Sequence, residues 1–184
     1  MPVSEETYLR LVLEDPEGKW ELHCGRLRQK PAMTTRHNEV AWMLGFRFQQ
    51  QLPFEQFQVR VDAGRARALE SEYFIPDVIV IPRAYVDRLK QEQPDAAEVY
   101  TDPLPFVTEV WSPSTGNRDR TTKLQDYQQR GDFEIWLLHP GERTARAFRK
   151  QPDNTYTETV FHGGTVQPVA LPHVTIDLDE LFSL

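Results

Sequence analysis

Two carboxylates in this sequence stand where carboxylates are costly to place. Asp77 follows Phe74-Ile75-Pro76 and precedes Val78-Ile79-Val80-Ile81, and Glu109 lies inside Phe106-Val107-Thr108-Glu109-Val110-Trp111. Both runs are rich in apolar and β-branched residues, the pattern of strands covered on both faces. An ionised carboxylate there is tolerated only if paired or bound to a metal. Taken alone, either acid reads as a strand-end hydrogen-bonder or a salt-bridge partner. Two of them on neighbouring strands point elsewhere. Side by side they would repel and raise one pKa, and a divalent cation would remove that repulsion. Mg²⁺ is held through one or two carboxylates, completing its shell with water and phosphate oxygens. Such an ion polarises a phosphoryl oxygen and acidifies its own water.

Other candidates carry a plainer alternative beside the functional one. Lys123 lies 14 residues after Glu109. It would either pair with Asp119 at i,i+4 on a helix surface or bring an ammonium to a pentavalent phosphate. Glu21 has apolar neighbours, Trp20 and Leu22, on a short strand whose outer face could be solvated. His37 falls on the apolar face of a helix, where a histidine is more often a satisfied core residue than a ligand. Ser112-Pro113-Ser114-Thr115 has no His or Asp at triad-like places and reads as loop and capping chemistry. Cys24, the single cysteine, has no adjacent base to make it a nucleophile.

The elements that must position these residues follow from periodicity. Ser4 to Leu13 has helical spacing, and Thr34 and Thr35 can cap a second helix running to about Gln51. In the second of these, His37, Ala41, Leu44 and Phe48 share one face. Asp15 to Gly18 is a turn. Lys19–His23 and Arg26–Arg28 form a hairpin, and Phe57–Val61 is a half-buried strand. Phe74–Ile81, Phe106–Trp111 and Glu134–Leu138 are central strands. A helix from about Arg118 to Arg130, stopped by Gly131, joins the last two as a βαβ-like unit. Strands near Arg143–Arg149 and Thr155–Phe161 follow. A short terminal helix is capped by Asp177, with Glu180 three residues on.

Composition bounds the rest. A chain of 184 residues reads as one domain over 1–184 with a core of its own. Aromatic residues at 11% argue against disorder. One cysteine excludes an intrachain disulfide and any multi-cysteine zinc site. The N-terminus lacks an apolar stretch behind a basic start, and no run is long enough for a membrane helix, so the expected location is cytoplasmic. The net charge of −7 argues against a non-specific nucleic-acid binder, because that affinity comes from Lys and Arg.

The motifs resemble one family. Trp20-Glu21-Leu22-His23-Cys24-Gly25 resembles the "YEL-x-[DN]-G" opening of the Uma-two family of restriction-endonuclease-like proteins, and Pro76-Asp77-Val78-Ile79-Val80 its "PDLVV". Glu109-Val110-Trp111-Ser112-Pro113-Ser114-Thr115 is similar to "EVLSPST". Asp119, Lys123, Tyr127 and Gly131 keep the family's "D-x-x-x-K-x-x-x-Y-x-x-x-G" spacing, and Glu134-Ile135-Trp136-Leu137-Leu138 is similar to "EYWLVD". The match runs from the first helix to Leu178-Asp179-Glu180-Leu181-Phe182.

The resemblance implies a restriction-endonuclease-like α/β (α+β) fold of the PD-(D/E)XK nuclease superfamily. That fold has a central mixed sheet flanked by helices, with extra antiparallel strands toward the C-terminus. It implies Asp77 and Glu109 as the ligands of Mg²⁺ or Mn²⁺, and Glu21 as the glutamate near the metal. His37 matches a family histidine at the head of the long helix. The superfamily lysine, two residues after the glutamate, is Trp111 here, which moves its role to Lys123. The sequence departs from the pattern at His23 and Cys24, where the family has an apolar residue and Asp or Asn.

The leading expectation is therefore a Mg²⁺-dependent endonuclease hydrolysing DNA with metal-activated water, assembled as a homodimer and without a membrane. Arg26, Arg28, Arg65, Arg67, Arg118 and Arg120 are the candidates to meet phosphates. The charge and the displaced lysine favour instead a non-catalytic binding or assembly protein that retains the fold. Metal-assisted hydrolysis of a small phosphate ester is a third reading.

Overall fold

A computed structural model describes residues 2–68, 72–113 and 116–183, with the backbone alone for 116–120. In chain order the elements are α1 (Glu5–Glu14), β1 (Trp20–His23), β2 (Arg26–Gln29), α2 (Thr35–Gln51), β3 (Phe57–Val61) and β4 (Arg65–Arg67). Then come β5 (Tyr73–Phe74), β6 (Val78–Pro82), α3 (Arg83–Glu92), β7 (Val99–Tyr100), β8 (Phe106–Val110), α4 (Gly116–Arg130) and β9 (Glu134–His139). The chain closes with β10 (Thr144–Lys150), β11 (Tyr156–Phe161), β12 (Thr165–Val166), β13 (Ile176–Asp177) and α5 (Leu178–Leu181). No helix among the described residues is long and apolar enough to cross a membrane.

The main sheet has six strands in the order β11-β10-β9-β8-β6-β3. Only β8 and β9 run parallel in it, and α4 joins them, as a parallel pair requires a crossover. Period-two alternation sends Val78, Val80, Phe106 and Trp136 to one face, under α2 and the C-terminal segment. Ile79, Ile81, Val107 and Ile135 go to the other face, with Tyr127 of α4 and Tyr85 and Val86 of α3. Both faces are covered, which accounts for the nearly unbroken apolar runs. A second, five-stranded sheet, β2-β1-β5-β4-β7, carries the N-terminal hairpin and packs Leu22 and Tyr73 against Tyr8 and Val12 of α1.

The helix ends follow the capping residues. Ser4 and Thr34 accept from the backbone N–H of Thr7 and His37, and Asp177 accepts from Asp179 and Glu180. Gly131 ends α4 with φ +82, a conformation glycine adopts without strain.

Two features differ from the sequence expectation. The apolar run Phe74–Ile81 is not one strand. Tyr73–Phe74 belongs to the second sheet and Val78–Pro82 to the main one. The chain passes between sheets at Ile75-Pro76-Asp77, where proline offers no N–H to a ladder. The short β4 and β7 had no clear periodicity to announce them, and the helix α3 was not foreseen although Tyr85, Val86 and Leu89 stand at helical spacing.

Phe48 of α2 packs edge-on to Phe106 at 4.8 Å, and Phe106 to Trp136 at 5.2 Å. Phe48 is fully buried, while Trp42 on the same helix is 59% exposed. Phe48→Ala is expected to lose roughly 3–5 kcal/mol in urea unfolding, and Trp42→Ala to stay within about 0.5 kcal/mol of wild type. Comparable losses for both would show that α2 does not bury this face.

Candidate functional site

The inter-sheet passage leaves backbone groups that no ladder serves, and buried side chains serve them. The Ile75 N–H donates to Glu21 Oε1 at 2.8 Å. Its carbonyl accepts from Lys30 Nζ, also at 2.8 Å. Asp77 donates its N–H to the Thr108 carbonyl and accepts at its own carbonyl from Asp62 N–H. Glu21, Lys30 and Asp77 are thus fixed by the same few residues.

Asp77 is 1% exposed. Its Oδ1 accepts from Lys30 Nζ at 2.7 Å, and its Oδ2 from the Val110 N–H at 2.7 Å and His37 Nε2 at 3.0 Å. Burial alone would raise its pKa. The charge of Lys30 and the bond and charge of His37 outweigh burial and hold it well below the usual range. Burial likewise works against the Lys30 ammonium, but Asp77 and Glu109 keep it protonated. Lys30 also reaches Asp62 Oδ1 at 2.7 Å. His37 is lowered by burial and raised more by Asp77, with net effect upward. Its Nδ1 faces Asn38 Oδ1 at 3.2 Å, so both ring nitrogens have acceptors, as an imidazolium needs.

The other half of the site lies between β8, β1 and α4. Glu109 Oε1 accepts from Tyr127 Oη at 2.6 Å and lies 3.6 Å from Lys123 Nζ. Lys123 donates to Glu21 Oε1 at 3.0 Å and stands over the Phe74 ring at 5.5 Å. At 5% exposure it is not the surface partner that the spacing from Asp119 allowed; the Asp119 side chain lies outside the described residues. Burial and the Asp77 charge push Glu109 up to about 7, against the pull of Lys123 and Lys30.

The predicted residues Glu21, Asp77, Glu109, Lys123 and His37 therefore meet, though not as a bare ring of acids. The three carboxylates do not present three oxygens all within 4.8 Å of one another. Lys30 and Lys123 stand among them and supply much of the compensation that the sequence reading left to a cation. A carboxylate has about four lone-pair positions. Asp77 Oδ1 uses one for Lys30, and no hydrogen bond reaches Glu109 Oε2 among the described residues. These two oxygens suit a hard divalent cation.

Lys30, Asp62 and Tyr127 had not been singled out as site residues. Lys30 follows Arg26-Leu27-Arg28-Gln29, a polar strand in which it looks like any surface lysine. Tyr127 stood in the family spacing without a role. Of the proposed phosphate contacts, Arg67 is bonded to both Glu5 oxygens at 3.0 Å and Arg65 to Tyr8 Oη at 3.2 Å. Arg26 and Arg28 are exposed on β2. The side chains of Arg118 and Arg120, and Ser114 and Thr115, lie outside the described residues. Cys24 is exposed, and its hydrogen bond with Glu72 pushes the thiol upward, the opposite of a poised nucleophile.

The family described as "Putative restriction endonuclease" matches residues 5–179. A crystal structure from Anabaena variabilis ATCC 29413, described as "a putative nuclease belonging to DUF820", is similar with a TM-score of 0.79 at 20% identity. The similarity covers 99% of this chain and 98% of that one, and it shows the mixed α/β nuclease-like fold. No curated protein matches the sequence.

His37 gives the site a pH signature. A histidine raised in the folded state contributes stability that is complete below its unfolded pKa of 6.5. That contribution fades as pH rises through the higher folded value. His37→Gln should therefore cost most near pH ~5.5 and progressively less above neutrality. Urea unfolding of both proteins across pH checks this. A cost independent of pH would mean that His37 is neutral beside Asp77.

Proposed function

Because the chain belongs to the Uma-two family, described as "Putative restriction endonuclease", we propose that it is a divalent-metal-dependent endonuclease hydrolysing phosphodiester bonds of DNA. The observation that carries this reading is the convergence of Glu21, Asp77 and Glu109 with Lys30 and Lys123, all more than nine-tenths buried. Asp77 and Glu109 would hold Mg²⁺ or Mn²⁺ through the oxygens that keep lone pairs. Bound there, the ion would polarise a phosphoryl oxygen and supply an acidic water.

The remaining roles belong to the chain. Lys30 and His37 keep Asp77 ionised and oriented, and Tyr127 fixes one oxygen of Glu109. Lys123 brings an ammonium to where charge builds on the phosphate in the transition state. Glu21 aims that ammonium through its 3.0 Å hydrogen bond. Arg26 and Arg28, exposed on β2, are candidates to meet a phosphate backbone. A second reading, a non-catalytic binding protein that retains the fold, draws on the extent to which lysines already compensate the acids.

Incubating supercoiled plasmid with Mg²⁺, with Mn²⁺ and with chelator separates the two. Cation-dependent nicking is expected. Lys123→Ala should lower the rate by about 100-fold or more while leaving cation affinity nearly intact, since an ammonium is not a ligand. Glu109→Gln should lower both. Absence of cleavage by folded wild type with either cation would leave the second reading standing, and wild-type rates in Lys123→Ala would remove that residue from the mechanism.

A further inference from the structure

The two positions at which the sequence departs from the family's opening pattern, His23 and Cys24, are both metal-ligand residue types, and the fold places a third beside them. Glu72 lies just before β5, the neighbour of β1 in its sheet. Its Oε2 accepts from His23 Nδ1 at 2.7 Å, and its Oε1 from the Cys24 N–H at 2.7 Å. Cys24 Sγ is 3.9 Å from His23 Nε2. One nitrogen, one sulfur and one oxygen from these residues all lie within 4.8 Å of one another. Atoms sharing a tetrahedral ion, bound at about 2.0–2.3 Å each, stand roughly 3.3–3.7 Å apart. Small side-chain shifts would close the set.

Asp126 of α4 is a separate observation. It is 8% exposed, and its Oδ2 is buried with no hydrogen-bond partner among the described residues. Its charge is felt at Cys24, and those of Glu72 and His23 are felt at Asp126. An orphaned acceptor on the same helix face as Lys123, within electrostatic reach of the three residues, is what a metal-bound water would satisfy.

We propose that His23, Cys24 and Glu72 form a second metal site, for a Zn²⁺-class ion, with Asp126 accepting from the water in its open position. Thiolate and imidazole select such an ion over Mg²⁺, which prefers oxygen. On binding, Cys24 loses its thiol proton to solvent.

The placement gives the site a consequence. His23 follows Glu21 by two residues on β1, so both side chains point to one face. Asp126 follows Lys123 by three on α4, one turn along the same face. His23 and Asp126 therefore stand one step along the seam from the Glu21–Lys123 pair, with no hydrogen bond reaching Asp126 Oδ2 among the described residues. An ion here would brace the hairpin, the start of β5 and α4, and hold Lys123 in register with Glu21.

Because Cys24 is the single cysteine, its thiol reports the site without ambiguity. The full chain would be titrated with Zn²⁺ in excess Mg²⁺ by calorimetry, and its alkylation rate followed with and without Zn²⁺. Co²⁺ would serve as an absorption probe. About one Zn²⁺ per chain, at least about 10-fold slower alkylation and a thiolate-to-cobalt charge-transfer band are expected. Cys24→Asn, which suits the left-handed turn at φ 49, and His23→Gln should each weaken Zn²⁺ by at least about 10-fold. Glu109→Gln should leave it unchanged. Alkylation unaffected by Zn²⁺, or equal Zn²⁺ affinity in Cys24→Asn, would overturn the site. Loss of Zn²⁺ in Glu109→Gln alone would assign the ion to the other acids.

Discussion

The buried ion pair between Lys30 and Asp77 is the contact on which the arrangement of this protein depends. Each has left water at its depth, and the charge of the other is the largest single compensation for that loss. Their surroundings extend the constraint. Lys30 also takes the Ile75 carbonyl, and Asp77 also accepts from Val110 and His37. One charge pair thereby ties the segment after β2, the inter-sheet passage, the head of α2 and the end of β8. These are the parts that must meet if Glu109 is to stand near Asp77.

Burial of an acid is not itself a functional sign in this chain. Glu134 is fully buried, yet Trp136 Nε1, Arg149 Nε and the Ala170 N–H satisfy it. Asp132 is likewise held by Arg130 and the Leu104 N–H. Both are fixed within the fold by donors that also serve its framework, Arg130 reaching the Arg67, Tyr100 and Asp102 carbonyls and Trp136 packing on Phe106. Glu21, Asp77 and Glu109 differ because two ammoniums and an imidazole hold them at one place while lone pairs remain. That difference sets the proposed site apart from structural polar groups of equal burial.

Much of this was legible in the sequence, for physical reasons. Carboxylates inside β-branched runs mark Asp77 and Glu109, since few environments tolerate them. Capping residues set the helix ends, and the turn residues set the hairpin. Lys30 was not legible, because a lysine that ends a polar strand looks solvated until the tertiary fold covers it. The break at Ile75–Asp77 was hidden by apolar character that suited either sheet. Lys123 owed its candidacy to the family resemblance, and the contact of α4 with Glu21 of β1 is what buries it. Its local spacing fitted a surface pair just as well.

A double-mutant cycle on Lys30→Met and Asp77→Asn, read by urea unfolding without added metal, tests the central pair most directly. Each single variant strands a buried charge and should lose roughly 3–5 kcal/mol. The double variant strands neither and should lose much less than the two together. Losses that add to within about 0.5 kcal/mol would contradict the account, because the two residues would then be energetically independent.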